Sequence, residues 1–444
     1  MDVDEAPGDA ARGFILYFPV VQVKGCEMDK TPLVVLDFDA ALAMVLGHAG
    51  TVGGGGVERL PLQACRGRVL AEAVRADRDQ PAFDRSTRDG FAVRAEDAGG
   101  SRTLRALGQV RAGETWLGGV VERGCAVEIM TGAAVPAGAD AVVMVEHVER
   151  EANGVRLAGG RAVKAGENVV PRGAEARAGD TVLDRGSVMG AAEIALAAGC
   201  GCAELVVFVR PRVAIVATGD ELVELDRAGA VLGAGQIWNS NSYGIAAMVE
   251  EAGGVAMRMP VAADRKEALE AIVREAREAE LLVLSGGVSM GEYDLVEEVL
   301  TEMGAEFFFT GVKMQPGKPV VFGRLPARGG AKQQYFLGLP GNPVSTQVTF
   351  RCFGVPLVRA MGGAGASGPR FLQATMGEAV AGRAGVMRVL PAQVRYDRMR
   401  PAVTLVKWQG SGDMGANARA NCYAVLPPEV EQFEVGDVIT VMIR

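Results

Sequence analysis

Residues 264–287, DRKEALEAIVREAREAELLVLSGG, contain a helical pattern followed directly by a strand pattern. Apolar residues recur at offsets of 0, 3, 4 and 7 from Leu269, the spacing of one face of an α-helix. The apolar run 281–284 follows directly and ends in Ser-Gly-Gly, which predicts a buried strand. A helix that leads straight into a buried strand is the repeating unit of a parallel sheet covered by helices.

The same alternation continues on both sides of this stretch. Before it, RVAIVAT (212–218) predicts a buried strand, and NSNSYGIAAMVEEAGG (239–254) predicts a capped helix with a glycine stop. After it, helical spacing returns across 292–303, and the pattern ends in two strands, 319–323 and 334–338, and a helix opened by Asn342 and Pro343. The sequence therefore predicts a mostly parallel, three-layer α/β domain, which we place at residues 208–362.

Regions of β-rich sequence flank this α/β domain. Residues 85–173 hold short Val/Ala runs between Gly, Pro and Asn, which predicts a small, inserted antiparallel β domain. Residues 368–444 alternate apolar and polar side chains, which predicts a small β barrel or sandwich. Segments 33–84 and 174–207 are expected to form a scaffold domain split by the insertion. Residues 1–32 carry no sustained period and are expected to be a disordered lead-in.

Composition excludes several classes of protein. A net charge of −8 offers nothing global to attract nucleic acid or an anionic membrane surface, and no apolar stretch approaches the roughly 20 residues of a membrane span. Seven scattered cysteines suit a reducing cytoplasm better than a disulfide framework. Because only two histidines are present, a histidine-based zinc site or a Ser/His triad is not expected.

Two short motifs have alternative interpretations. TVGGGG (51–56) invites a phosphate-loop interpretation, but no strand precedes it and no Gly-Lys-Ser/Thr follows, so a flexible loop is preferred. Cys200-Gly201-Cys202 could be half of a metal site, but it lacks a partner pair, which favours buried or half-buried thiols.

Three polar loops follow predicted strands of the α/β domain. The carboxyl ends of parallel strands gather ligands, since loop amides and helix N-termini bind anions there and clustered carboxylates bind Mg²⁺. With Lys318 as a point charge for phosphate, the loops predict a phosphorylated ligand and metal-assisted hydrolysis. The loop residues are Thr218, Gly219, Asp220 and Glu221 in 217–224; Ser285, Gly286, Gly287, Ser289, Glu292 and Asp294 in 285–294; and Pro340, Gly341, Asn342, Pro343 and Ser345 in 337–345.

The chain resembles the molybdopterin molybdenumtransferases, the MoeA-type family that includes the C-terminal region of gephyrin. The likeness runs from about Leu33 to the C-terminus. Nine segments carry it in register: FDRSTRDGFAVR (83–94), EIMTGAAVPAGADAVVMVE (128–146), GENVVPRGAEARAGD (166–180), ATGDEL (217–222), GQIWNSN (235–241), SGGVSMGEYD (285–294), PGKPVVFG (316–323), LGLPGNPVS (337–345) and QGSGDMGANARANCYAVLP (409–427).

The resemblance implies an enzyme of molybdenum cofactor biosynthesis that inserts molybdate into adenylylated molybdopterin with Mg²⁺ and releases AMP. It implies a cytoplasmic, elongated homodimer of four-domain subunits, each active site lying between the α/β domain of one subunit and the inserted domain of the other. The candidate protein partners are a molybdopterin adenylyltransferase and the apo-molybdoenzymes that receive the product. The alternatives are that the chain is itself a molybdopterin adenylyltransferase, or a non-catalytic scaffold of the same fold.

The resemblance also assigns the site residues. The inserted domain contributes Asp89 and Thr131. The pterin, nucleotide and magnesium region is lined by Asp220, Glu221, Asp264, Ser289, Asp294 and Lys318. The molybdate side is formed by Arg383, Ser411, Pro340 and Pro343. The candidate catalytic residues are Asp89, Glu221, Asp294 and Lys318, and the candidate metal ligands are Asp220, Glu221, Asp264 and Asp294.

Some of these positions have other interpretations, and some depart from the family pattern. Arg383 has the alternative of a surface arginine on a β barrel, and Asp89 that of a cap for the turn at Gly90. Arg85-Ser86-Thr87-Arg88 stands where Asn-Ser-Ala-Met is usual, and Ala174-Glu175 stands where two acids are usual. Gln315 replaces the usual lysine, for which Lys313 is a nearby substitute. Val386 replaces the usual phenylalanine.

Overall fold

The computed structural model describes residues 34–99, 102–152, 154–158, 161–225, 229, 231–287, 295–327, 333–396 and 400–444. The predicted lead-in, residues 1–32, lies outside this described part of the chain. No helix among the described residues is both long and apolar enough to cross a membrane.

A six-stranded sheet forms the centre of the α/β domain. Its strands lie in the order Val255–Arg258, Arg212–Ala217, Leu281–Ser285, Gln334–Leu339, Val321–Leu325 and Glu306–Phe309. The first four are parallel to one another, and Val321–Leu325 runs antiparallel to both of its neighbours. This confirms the predicted mostly parallel sheet.

Both faces of this sheet are covered. Alternate residues of one strand enter different cores: Val213 and Ile215 pack in one, and Ala214 and Val216 in the other. This alternation places a buried side chain on each face, as the continuous apolar runs predicted. The covering helices are Asn241–Glu251, Lys266–Glu275, Leu295–Glu302, Pro343–Thr349 and Val355–Met361, with the π-helical turn Phe350–Gly354 joining the last two. Short 3₁₀ turns and strands complete the region: Ala276–Glu278, Leu222–Val223, Ile237–Trp238, Gly311–Val312 and Met314–Gln315.

The first helix, Phe38–Thr51, packs in the core of the α/β domain. Its buried residues Phe38, Ala41 and Val45 share that core with Val358. The preceding strand, Val35–Leu36, pairs in parallel with Gly311–Val312. This part of the segment 33–84, which the sequence assigned to the scaffold, therefore contributes to the neighbouring core.

The scaffold region has a small core of its own. Strand Val57–Pro61 pairs with Glu204–Phe208, and Val74–Arg75 pairs with Thr181–Leu183, so segments on either side of the insertion lie together. The 3₁₀ turn Leu62–Ala64 and the helix Ala191–Gly199 complete this region.

The inserted domain is one sheet with a core on each face. Its six strands lie in the order Ala141–Met144, Gly90–Val93, Cys125–Ile129, Thr103–Val110, Gly154–Leu157 and Val148–Glu151. The pairing of Thr103–Val110 with Cys125–Ile129 is parallel, so the domain is not purely antiparallel as the sequence predicted. Phe91 and Val93 pack in one core and Ala92 in the other. The 3₁₀ turn Val145–His147 and the separate pair Arg85–Ser86 and Val169–Val170 complete it.

The C-terminal region is a closed five-stranded barrel, which decides between the predicted barrel and sandwich. Closure comes from Met387–Arg395, which pairs with both Ala402–Leu405 and Cys422–Leu426. Phe371–Met376 and Val438–Ile443 complete the ring. Outside the ring lie the strand pair Val380–Ala381 with Gln432–Phe433 and the helix Met414–Arg419.

Candidate functional site

The three predicted loops begin side by side at the carboxyl edge of the α/β sheet. Ala217 is in register with Ser285, and Ser285 with Leu339, on three adjacent parallel strands. The backbone N–H of Thr218 donates to the Ser285 carbonyl at 3.0 Å, and that of Gly286 donates to the Leu339 carbonyl at 3.2 Å. Parallel register thus gathers the polar segments that follow these strands, as the sequence predicted.

Two glycines allow the first and second loops to touch. Gly286 and Gly287 have φ values of 93° and 65°, in the left-handed region that favours glycine. A Cβ at Gly286 would lie 2.6 Å from the Thr218 carbonyl oxygen, and one at Gly287 would lie 2.9 Å from Thr218 Oγ1. Thr218 is only 5% exposed, and its hydroxyl has no hydrogen-bond partner among the described residues. A buried hydroxyl without a partner is costly, so Thr218 is a natural contact for a ligand.

Asn241 joins the second and third loops, and sequence reasoning missed it. Its side-chain Nδ2 donates to Ser285 Oγ at 3.0 Å and to the Gly341 carbonyl at 2.7 Å. The sequence interpreted the Asn/Ser run at 239–241 as a helix cap, and Asn241 is indeed the first residue of its helix. The available signal was its place in GQIWNSN, one of the nine family-like segments, but nothing in that pattern indicates a link between loops.

The third loop meets the C-terminal barrel region. The Val344 backbone N–H donates to the Ser411 carbonyl at 2.9 Å, and Asn417 Nδ2 donates to Gln347 Oε1 at 2.8 Å. Pro343 is the first residue of its helix, where the missing N–H costs no hydrogen bond. The structure therefore brings Ser411 to the helix start that Pro343 opens.

Three carboxylates gather beside the first loop. The Asp264 backbone N–H donates to Asp220 Oδ1 at 3.2 Å, and a Cβ at Gly219 would lie 2.5 Å from Glu221 Oε2. Partial burial is the main cause that raises the pKa of Asp264; a backbone hydrogen bond from Asp220 opposes it, and the negative charges of Asp220 and Glu221 add to the increase. These carboxylates therefore lie close enough to repel one another.

This gathering is not a complete metal site within the described part of the chain. Across those residues, no group of three or more His, Cys, Asp or Glu side chains has an arrangement that could hold a metal ion. The candidate ligand Asp294 and the candidate binding residue Ser289 lie outside the described residues, and so does Glu292.

Basic residues lie where the α/β domain meets the barrel. Strand Met314–Gln315 pairs in parallel with the start of Met387–Arg395, and Arg383 Nη1 lies 3.4 Å from Gln315 Oε1. Lys318 follows with an exposed side chain. Lys313, the nearby substitute for the missing lysine, pairs with Asp37 at 3.1 Å.

The inserted domain brings Asp89 and Thr131 together. Asp89 Oδ1 accepts hydrogen bonds from the Thr131 backbone N–H at 2.6 Å and from Thr131 Oγ1 at 2.7 Å. These two bonds, the backbone one first, lower the pKa of Asp89. Gly90 lies inside a strand, so the Asp89 carboxylate binds Thr131 rather than capping a turn at Gly90. Beside this pair, Arg85, one of the departures, forms an ion pair with Glu175, the acid that is retained, with Arg85 Nη2 2.8 Å from Glu175 Oε1.

The two remaining motifs lie away from these loops. The glycine run follows a helix and precedes a strand, the reverse of a phosphate-binding loop. Gly53, Gly55 and Gly56 line a cavity of about 740 Å³ at the amino edge of the sheet, and none of the predicted site residues lines it. Cys200 is buried and its Sγ accepts a hydrogen bond from Gln80 Nε2 at 3.2 Å.

Comparison with known proteins agrees with this architecture. Residues 36–201 match the family described as the MoeA N-terminal region (domain I and II), residues 214–360 the probable molybdopterin binding domain, and residues 373–443 the MoeA C-terminal region (domain IV). A crystal structure of a molybdopterin biosynthesis MoeA protein from Pyrococcus horikosii is similar over 92% of this chain and 99% of that chain, with a TM-score of 0.68 and 31% identity. The fold is therefore that of the MoeA class.

Curated relatives give the same assignment at the level of sequence. The molybdopterin molybdenumtransferase of Haemophilus influenzae is 33% identical over 399 residues, which cover 86% of this chain and 93% of that protein. The one from Nostoc sp. is 38% identical over 312 residues, 69% of this chain and 70% of that protein. The chain belongs to the molybdopterin molybdenumtransferase family, and is thus a transferase of molybdenum cofactor biosynthesis.

Proposed function

We propose that this chain inserts molybdate into adenylylated molybdopterin in a Mg²⁺-dependent reaction that releases AMP. The observation that carries the proposal is the meeting of three polar loops at one sheet edge, with Ala217, Ser285 and Leu339 in register on adjacent strands. A single edge that offers backbone N–H groups, hydroxyls and carboxylates suits a phosphorylated ligand together with a divalent cation.

The anionic part of the substrate has several candidate partners. The backbone N–H of Gly287 in the second loop and the first helical turn beyond Val344 supply positive ends of backbone dipoles. The Thr218 hydroxyl is buried beside Gly286 and Gly287, where a phosphate oxygen would satisfy it. Lys318, with its exposed ammonium group, adds a mobile positive charge.

The carboxylates of Asp220, Glu221 and Asp264, with Asp294 assigned from sequence alone, would hold Mg²⁺. The donor set fits this hard cation, because its oxygens are carboxylates. Partial burial raises the pKa of Asp264, and the negative charges of Asp220 and Glu221 add to the increase. When bound, Mg²⁺ neutralises charge that develops on phosphate oxygens. The positive ion would also relieve the repulsion among these acids.

The reaction requires hydrolysis of the bond between AMP and the molybdopterin phosphate. One P–O bond of the phosphoanhydride breaks, the oxygen of water forms the new P–O bond, and the water protons pass to the released phosphates and to solvent. Glu221 and Asp294 are our candidates to accept a hydrogen bond from this water. Asp89, whose pKa is lowered by Thr131, is ionised at neutral pH and so acts as an acceptor or a fixed negative charge, not as a proton donor.

Molybdate, the second substrate, is assigned to the boundary between the α/β domain and the barrel. Arg383 suits a tetrahedral oxyanion, because its guanidinium fork can donate two hydrogen bonds. Pro340, Pro343 and Ser411 border the same helix start, where the Ser411 carbonyl accepts from Val344. Gln315 stands beside Arg383, so a neutral amide replaces the usual lysine charge there.

We further propose that the enzyme is a cytoplasmic homodimer. In that arrangement Asp89 and Thr131 of one subunit would face the α/β loops of the other. A molybdopterin adenylyltransferase would supply the adenylylated substrate, and apo-molybdoenzymes would take up the product. The inserted sheet has its own two cores, which suits a domain that reaches toward a neighbouring subunit.

The test is AMP release by the purified protein with Mg²⁺ and adenylylated molybdopterin, with molybdate and tungstate in parallel. We expect AMP release that requires Mg²⁺, and a product that reconstitutes an apo-molybdoenzyme. A chelator provides the matched control. If no AMP appears at saturating molybdate and Mg²⁺ while the pterin still binds, the enzyme proposal fails and a scaffold role takes its place.

A further inference from the structure

The amide of Asn241 has a fixed orientation between the second and third loops. Its Nδ2 lies 2.7 Å from the Gly341 carbonyl oxygen, which can only accept a hydrogen bond. The NH₂ group must therefore point this way, because the amide oxygen cannot serve as a donor. The second hydrogen of the same NH₂ group is donated to Ser285 Oγ at 3.0 Å.

This contact sets the direction of the Ser285 hydroxyl. Ser285 is only 2% exposed and is the last residue of its strand, at the head of the second loop. Because Ser285 Oγ accepts from Asn241, its own hydrogen has to be donated elsewhere. A hydroxyl held as a donor at a phosphate-binding loop is the form that an anionic oxygen requires.

A separate set of contacts holds the helix that carries Asn241. The Arg258 guanidinium lies 3.6 Å from the centre of the Tyr243 ring and 3.1 Å from Glu224 Oε2. Asn239 Nδ2 donates to the other oxygen of Glu224 at 2.5 Å. The helix start is therefore anchored without the Asn241 side chain, and substitution of Asn241 should leave the helix in place.

We propose that Asn241 is a positioning residue of the active site. It links Ser285 to Gly341, and it keeps the Ser285 hydroxyl as a hydrogen-bond donor for a phosphate oxygen of the substrate. The inference rests on the proposed function for the identity of that substrate. It assigns no chemical step to Asn241 itself.

The test compares Asn241→Asp with Asn241→Ala. The aspartate has nearly the same shape, but its carboxylate cannot donate to Gly341 and instead accepts the Ser285 hydrogen. We expect Asn241→Asp to raise the KM for adenylylated molybdopterin by about ten- to a hundredfold, and Asn241→Ala to raise it less, with kcat changed less than KM in both. In a Ser285→Ala background Asn241→Asp should add less loss than it causes in wild type, because only the contact with Gly341 is left to break.

A pH series separates this role from a merely structural one. Protonation restores a donor to the introduced aspartate, so the activity of Asn241→Asp relative to wild type should rise as pH falls from about 6.5 to about 4.5, toward the ordinary carboxyl pKa. The relative activity of Asn241→Ala should stay flat over that range. If Asn241→Asp matches wild type in KM, or if both ratios stay flat, the positioning role is overturned.

Amide hydrogen exchange tests the contacts of Asn241 independently of the proposed reaction. Absence of AMP release by wild type would count against the proposed function alone. Amide exchange at Gly286 and in 341–346 should still be faster in Asn241→Ala than in wild type, since the link between the loops is lost. Equal exchange rates in Asn241→Ala and wild type would show that Asn241 does not link Ser285 to Gly341, whether or not the proposed reaction occurs.

Discussion

The α/β loops and the Asp89–Thr131 pair are polar clusters of opposite character. In the α/β domain, the Thr218 hydroxyl has no hydrogen-bond partner among the described residues, and partial burial raises the pKa of Asp264, with neighbouring negative charges adding to the increase. In the inserted domain, one carboxylate oxygen of Asp89 already accepts two hydrogen bonds from Thr131, and its pKa is lowered. The first cluster thus has an unpartnered hydroxyl and neighbouring negative charges, whereas the second has its hydrogen bonds within its own domain.

Under the proposed function, this difference would separate a substrate-binding cluster from a carboxylate whose hydrogen bonds are already in place. Groups that lack partners in the free protein gain the most when substrate arrives, because their cost of burial is then removed. A carboxylate whose donors are already in place changes little on binding and can present a fixed negative charge. We therefore expect the α/β loops to control affinity and Asp89 to affect turnover.

Mixing two inactive variants tests whether the clusters belong to one site across subunits. We expect Asp89→Ala and Glu221→Gln each to lose at least a hundredfold in AMP release, since each removes a carboxylate on which the proposed reaction depends. If each site combines two subunits, random heterodimers of these variants contain one intact site of two. Co-expression should then restore about a quarter of wild-type activity.

Two outcomes would contradict a site that is shared between subunits. If mixed subunits remain inactive while heterodimers are detected by mass, both clusters act within one subunit or do not share a site. Full activity of Asp89→Ala alone would restrict this pair to a structural role. Thr131→Ser, which keeps the hydroxyl donor to Asp89, is the matched control and should remain active.

Magnesium should stabilise the α/β cluster and leave the inserted domain unaffected. Removal of one negative charge relieves repulsion, so Asp264→Asn should melt at a higher temperature than wild type without Mg²⁺. Saturating Mg²⁺ should raise the melting temperature of wild type by several degrees, on the scale of roughly 2–4 °C per kcal/mol of binding energy. The melting temperature of Asp264→Asn should rise less. Equal Mg²⁺ shifts for wild type, Asp264→Asn and the inserted-domain variant Asp89→Asn would argue against a cation at this cluster.

Sequence reasoning succeeded where local pattern determines position. The apolar runs at 212–217 and 281–284 determined two neighbouring strands, and parallel pairing then had to bring Thr218 and Ser285 to one edge. The barrel was predicted as one of two options, and alternate residues of its strands, such as Leu390, Ala392 and Val394, do share one barrel core. In both regions the period of the side chains carried the information.

Sequence reasoning failed where one side chain connects distant segments. Asn241 looked like a helix cap, because its links to Ser285 and Gly341 span 44 and 100 positions and follow no period. The parallel pairing of Thr103–Val110 with Cys125–Ile129 was missed since short Val/Ala runs do not indicate direction. The family resemblance assigned Asp89 and Thr131 to one site, but their hydrogen bond was not predicted, because the two residues lie 42 positions apart on separate strand ends.

The smallest expected effect concerns the pKa of Asp89. Thr131→Val removes the hydroxyl donor but keeps the backbone N–H, so the pKa of Asp89 should rise toward its ordinary value of 3.8 without reaching it. Since the folded pKa is lowered, the stability that Asp89 contributes is present above 3.8 and is lost as pH falls through the folded value. Carboxyl-detected NMR titration of wild type, Thr131→Val and Thr131→Ser measures the shift directly. An unchanged pKa in Thr131→Val would mean that the backbone N–H alone fixes the ionised state, and that the Thr131 hydroxyl is available to a ligand.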